Sequence, residues 1–183
     1  MVATSRVQWR PWCVLAAYVV LIYALLPYGP KIGLGLLRTG PGGWLLGRGL
    51  PTLAVVGAVA VMIVLVRRRS PPWAYAALAA AAATYVVAFS WLRSAHLERT
   101  HLPEYGVAAW LSWRALHPLL PHAFAGYAAA AALAATIGYV DELIQWILPG
   151  RVYDLRDVAM NALGAVLGTL VLAALRSGSR PRA

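Results

Sequence analysis

Two stretches of this chain carry the residue types that do chemistry: ERTHLPEY at 98–105 and DELIQWILPGRVYDLRDVAMN at 141–161. All six acidic residues, Glu98, Glu104, Asp141, Glu142, Asp154 and Asp157, fall within them. On a helix Asp141 and Gln145 are four positions apart and Glu142 and Gln145 three, so the amide shares a face with one or both acids. Pro149 and Gly150 then end the helix, which puts these groups within about two turns of its end. A charge inside hydrocarbon costs roughly 2.5–3.5 kcal/mol or more at the centre, and such a group normally faces a bundle interior or a water-filled cavity. Two adjacent acids therefore need partners, and Arg93, Arg99, Arg151 and Arg156 are the candidates. A plainer alternative leaves Asp141 and Glu142 interfacial and solvated, held by Arg151 as a structural ion pair.

Asp154 followed by Asp157 reads as an N-cap with an acid three positions on, able to satisfy free N–H groups at a helix start. Asp157 and Asn161 lie four apart at the outer end of that helix, and Asn161 faces an otherwise apolar span as an interhelical hydrogen-bonding group. Upstream, Glu98, His101 and Glu104 repeat at three-residue intervals with Tyr105 four beyond His101, and Pro103 favours a helix start there over one continuous helix. Glu98-x-x-His101 invites comparison with di-metal carboxylate bundles, which pair two Glu-x-x-His motifs. Its counterpart here would be Glu142-x-x-Gln145, which lacks the imidazole, so no metal and no cofactor is assigned. His96, His117 and His122 fall at loop edges and read as interfacial. Phosphate-loop, Gly-x-Ser-x-Gly and His-Glu-x-x-His motifs are absent, which removes the usual nucleotide, serine-hydrolase and zinc-protease readings.

The elements that position these groups are apolar helices. The 183 residues are 61% hydrophobic and 12% charged, with a mean hydropathy of +0.67, a composition that excludes a water-soluble domain. A crossing helix needs about 20 apolar residues. Segments 11–27, 51–66, 72–92, 122–147 and 158–175 meet or approach that length, and 103–118 is a weaker sixth because it contains Glu104, Arg114 and His117. The expected fold is all-α, a polytopic transmembrane helical bundle of about six spans with five possible, forming a single membrane domain over 1–183. Gly-rich 28–50 lacks a clean period and reads as a loop lying on the membrane. Trp9, Trp12, Trp73, Trp91 and Trp146 fall near span ends, where an indole suits the headgroup layer.

The net charge of +10 is spread between spans rather than along a soluble face, so it fits topology and anionic headgroups and not nucleic-acid binding. A six-span count leaves more arginines on the cytoplasmic side than outside, whereas five spans reverse the balance, so both termini are expected in the cytoplasm of a multi-pass plasma (inner) membrane protein. The N-terminal run is expected to be an uncleaved first span, since no small-x-small cleavage site follows it. Cys13, the one cysteine, excludes an intrachain disulfide and reads as inert packing. Gly164 and Gly168 form a small-xxx-small pair, and the alanine runs at 76–83 and 128–135 also let helix backbones approach closely.

The run from Glu142 through Gln145, Pro149-Gly150-Arg151, Asp154, Asp157, Asn161 and Gly164 to Gly168 resembles the C-terminal signature of VanZ-like membrane proteins, and Glu98-Arg-Thr-His101-Leu-Pro-Glu104-Tyr105 resembles their upstream His/Tyr motif. The resemblance covers about 85–175, with Leu102 where many relatives have an aromatic residue. It implies an envelope-associated function related to glycopeptide (teicoplanin-type) resistance, without a settled activity, and marks Glu142, Gln145, Arg151, Asp157, Asn161, His101 and Tyr105. Together with Glu98, Arg99 and Asp141 these residues make the expected ligand-binding set, gathered in one recess open to the extracytoplasmic side. The readings it leaves are a protein binding an anionic lipid-linked envelope precursor or a glycopeptide-like ligand, an intramembrane enzyme on a lipid or polyprenyl phosphate with His101 or Glu142 as base, and a structural or assembly protein. Membrane lipids are the expected partners in each.

Overall fold

The structure, a computed structural model, describes residues 8–91 and 98–178, with Glu98 described by its backbone alone. Among the described residues it is helical and without strands: α1 (Trp9–Leu25), α2 (Gly29–Arg38), α3 (Gly40–Trp44), a π-helical turn (Leu45–Gly49), α4 (Leu50–Arg67), α5 (Pro72–Trp91), α6 (His101–Leu116), α7 (Ala123–Ile147) and α8 (Leu155–Arg176). Four segments are long and apolar enough to cross a membrane: Gly40–Arg67, Pro72–Trp91, Ala123–Ile147 and Leu155–Arg176; α1 with α2, counted as one broken span, makes a fifth. The weaker sixth candidate is α6, whose 16 residues reach about 24 Å at about 1.5 Å per residue, short of a roughly 30 Å core. Large apolar side chains such as Leu53, Val55, Val59 and Ile63 on α4 are exposed, as a lipid-facing surface requires.

The helices cluster into two compact units. The first comprises residues 1–30 and 101–169. Its centre is α6, where Leu102, Tyr105, Ala108, Ala109, Ser112 and Trp113 are buried. Tyr105, Ala108, Ala109, Leu111 and Ala115 form one core with Leu15 of α1, Ala134 and Ile137 of α7 and Ala165 of α8. Two tyrosines fasten α1 in place: Tyr18 Oη donates to the Glu104 carbonyl at 3.0 Å and Tyr23 Oη to the Ile137 carbonyl at 2.8 Å. The alanine run 128–135 supplies the expected small-residue face, with Ala130 and Ala134 fully buried.

The second unit comprises 31–100 and 170–183. Leu65 of α4, Ala74 and Leu78 of α5 and Ala174 of α8 make its core, and Arg68 Nη1 donates to the Leu175 carbonyl at 2.8 Å, closing the end of α8. The segment 28–50, expected as a loop lying on the membrane, is helical over Gly29–Arg38, Gly40–Trp44 and Leu45–Gly49 instead. Glycines obscure the period there, but Thr39 caps α3 by accepting from the Gly42 N–H at 3.1 Å, and Pro41 sits in the first turn of α3, where a missing N–H costs nothing. Pro51 has no N–H for the carbonyl of Gly47 four residues back. That carbonyl accepts from Arg99 Nη1 at 3.0 Å, while Arg99 Nη2 reaches the Phe89 carbonyl at 3.3 Å. Cys13, expected as packing, is exposed on α1.

Candidate functional site

Glycines on α7 and α8 set the spacing of the site. A Cβ on Gly164 would lie 2.6 Å from the Leu102 carbonyl oxygen and 3.2 Å from that of His101, and one on Gly168 would lie 2.6 Å from the Cα of Gly106. The small-xxx-small pair therefore lets α8 press backbone to backbone against the first turns of α6, carrying Asp157 and Asn161 to the level of His101. Leu102, whose backbone lies against Gly164, is fully buried. Gly138 does the same on α7: a Cβ there would meet the Asn161 Cβ at 2.5 Å and Tyr105 Cε1 at 3.0 Å. Asn161 uses the approach to donate from Nδ2 to the Gly138 carbonyl at 3.0 Å, the interhelical bond expected of it.

The end of α6 that begins at His101, the end of α7 and the start of α8 thus enclose a polar recess within the first unit. Tyr105 Oη donates to Asp141 Oδ2 at 2.7 Å. Gln145 Nε2 donates to Glu142 Oε1 at 2.9 Å across one turn of α7. His101 Nε2 lies 4.0 Å from Asp157 Oδ2, and the His101 ring stacks on Tyr105 with centroids 6.3 Å apart. Asp141 is 1% exposed and Glu142 0%. The alternative in which both acids sit solvated at the interface is overturned, because the close crossing of the helices buries both side chains.

Asp154 caps α8 as expected, its Oδ1 accepting from the Arg156 N–H at 2.8 Å, and the Arg156 guanidinium grips the same carboxylate at 2.7–3.2 Å. That guanidinium, with the Arg156 N–H beside it, holds the Asp154 carboxyl below the usual carboxylate range. The second half of the capping pattern goes elsewhere. The Asp154 N–H points to Glu142 Oε2 at 3.5 Å, and Asp157 turns inward to His101. Arg151 sits close enough to act electrostatically on His101, Asp141, Glu142 and Asp157. Among the described residues it makes no ion pair within 4.0 Å, and its buried Nε has no hydrogen-bond partner. His101 Nδ1, Asp157 Oδ1 and Asn161 Oδ1 are likewise buried and without partners. One ligand atom from each of His101, Glu142 and Asp157 falls within 4.8 Å of the other two.

Of the residues singled out by sequence, His101, Tyr105, Asp141, Glu142, Gln145, Arg151, Asp157 and Asn161 come together in this unit. Arg99 belongs to the second unit, where it serves the Gly47 and Phe89 carbonyls. The side chain of Glu98, and Arg93 and His96, lie outside the described residues. Sequence reasoning missed Gly138, Tyr18 and Tyr23, and it did not join Asp157 to His101. Gly138 carried a signal, since it precedes Asp141 and Glu142 by three and four positions on one helical face; the tyrosines carried none.

Several helices are long and apolar enough to cross a bilayer, and those of the first unit hold a buried set of carboxylates, amide and imidazole; together they define a polytopic membrane protein with a buried polar cluster. The chain matches the VanZ/LLP1 family over residues 53–176, so it belongs to that family. The matched region begins at 53 rather than near 85, and so takes in the helix α4 as well as the polar segments. No curated protein and no solved structure matches the chain.

Proposed function

We propose that this VanZ-family protein resides in the bacterial plasma membrane with both termini cytoplasmic, and that its recess, open to the extracytoplasmic side, binds the anionic headgroup of a lipid-linked envelope precursor or a glycopeptide-like ligand, as in glycopeptide (teicoplanin-type) resistance. The observation that carries this is Arg151: a guanidinium beside three carboxylates that pairs with none of them keeps its fork for an outside group. A planar guanidinium suits phosphate or carboxylate oxygens, which it can bind through two parallel N–H donors. Tyr105, Gln145 and Asn161 hold the acids and the helix positions around it. Arg99 is not assigned this role, since it already donates to the Gly47 and Phe89 carbonyls.

In a strain whose glycopeptide tolerance or envelope lipid composition depends on the protein, Arg151→Ala should abolish that dependence and Arg151→Lys should restore it in part. Unchanged phenotypes for Arg151→Ala, with the protein still in the membrane, refute the reading. A second reading, an intramembrane enzyme on a lipid or polyprenyl phosphate, draws on the His101 and Asp157 pair 4.0 Å apart, an acid placed to orient an imidazole base. Purified protein that binds such a lipid but never converts it counts against the enzyme and leaves the binding protein.

A further inference from the structure

We infer that His101, Glu142 and Asp157 form a binding site for one divalent transition-metal ion of the Zn2+ or Mn2+ kind. An imidazole and two carboxylates without a thiolate are the donor set those ions favour. The three ligand atoms lie within 4.8 Å of one another, on three different helices or helix ends of the first unit. A tetrahedral ion at about 2.1 Å from each ligand sets them about 3.4 Å apart, so closing the shell needs a shift of about 1 Å.

Two further observations point to a cation. Glu142 and Asp157 are brought together with the Arg151 ion pair unmade, and paired carboxylates shielded from water are costly without a positive charge between them. Asn161 is 0% exposed, its Nδ2 is used on Gly138, and its side chain bears on the His101 imidazole while its Oδ1 has no partner. A buried acceptor left without a partner is one that a cation or its bound water would satisfy. The surroundings are also those of a metal site, where ligands are themselves oriented by hydrogen bonds. Gln145 holds Glu142 Oε1 and the Asp154 N–H faces Oε2.

The metal site does not depend on the anion reading above: Arg151 is no ligand, so Arg151→Ala, which removes a positive charge beside the site, should keep or strengthen metal uptake even where it abolishes the biological phenotype. Full-length protein in detergent, stripped with chelator and shown helical by circular dichroism, is titrated calorimetrically with Zn2+ and, separately, Mn2+. Uptake of one ion per chain at micromolar concentration is expected, with at least tenfold weaker binding for Glu142→Gln and for Asp157→Asn. A shared proton would also neutralise the two carboxylates, and in that case the folded wild type takes up neither ion at 100 micromolar, which overturns the proposal. Equal binding by wild type and both variants overturns it as well. Should the variants not fold, the wild type alone decides: bound Mn2+ must show electron-spin coupling to one imidazole nitrogen, and a spectrum without nitrogen coupling rejects the site.

Discussion

Substituting alanine for Gly168 tests whether close backbone approach builds this site. The added Cβ would stand 2.6 Å from the Gly106 Cα and 2.8 Å from its carbonyl oxygen. Ordinary carbon contacts lie at about 3.5–4.0 Å, so α8 must retreat from α6 by about 1 Å, and no flexible side chain is available to yield instead. Overpacking of this kind costs about 1–3 kcal/mol, a factor of about 5–150 in the folding equilibrium. Gly164→Ala meets the Leu102 carbonyl at the same 2.6 Å and should behave alike. Gly57 on α4 has nothing within 4 Å of its would-be Cβ, so Gly57→Ala supplies the control, neutral or slightly stabilising. The assay is reversible unfolding in mixed detergent micelles followed by circular dichroism, alongside metal titration of the folded fraction. Both crossing variants should unfold earlier than Gly57→Ala and lose metal affinity, because retreat of α8 draws Asp157 away from His101. If Gly164→Ala, Gly168→Ala and Gly57→Ala share one midpoint, the crossing does not set the geometry and the reasoning fails.

Tyr105→Phe strips the donor from a buried Asp141 oxygen and should cost about 1–3 kcal/mol; an unchanged unfolding midpoint would show that the bond contributes nothing. Arg99→Ala should lower thermal stability, since it strands the Gly47 carbonyl that Pro51 cannot serve, yet leave metal uptake within twofold of wild type; a lost metal site at full stability would contradict the structural role. Asp154→Ala removes the cap of α8 and should cost about 0.5–2 kcal/mol at neutral pH. Because the folded carboxyl titrates below its ordinary value of 3.8, this stabilisation is present above that value and is lost as pH falls through the lower folded one. Wild type and Asp154→Ala should therefore converge in acid when unfolding midpoints are followed against pH, and a gap that persists at the lowest pH would argue against the cap.

The sequence by itself determined the membrane class, the helix ends and the polar inventory, because each is a local property. Apolar runs need lipid or protein around them, Asp154 caps whatever helix follows it, Pro149-Gly150 stops α7, and Gln145 must face Glu142 one turn away. Periodicity also placed Asp157 and Asn161 on one face and foresaw the small-residue crossing at Gly164 and Gly168. What the crossing meets was not legible, since helical spacing says which residues share a face and not which face of another helix lies opposite. Tertiary structure decided that Gly168 stands on Gly106, that Asp157 turns from the cap to His101, and that Asn161 finds the Gly138 carbonyl. It also decided what Arg99 reaches, for a reason that needs three elements at once: Pro51 leaves the Gly47 carbonyl bare, and the 3-10 turn Glu98–Thr100 carries a guanidinium to it. The glycines of 29–49 hid a helix for the converse reason, that their conformation is set by caps and packing rather than by their own weak preference.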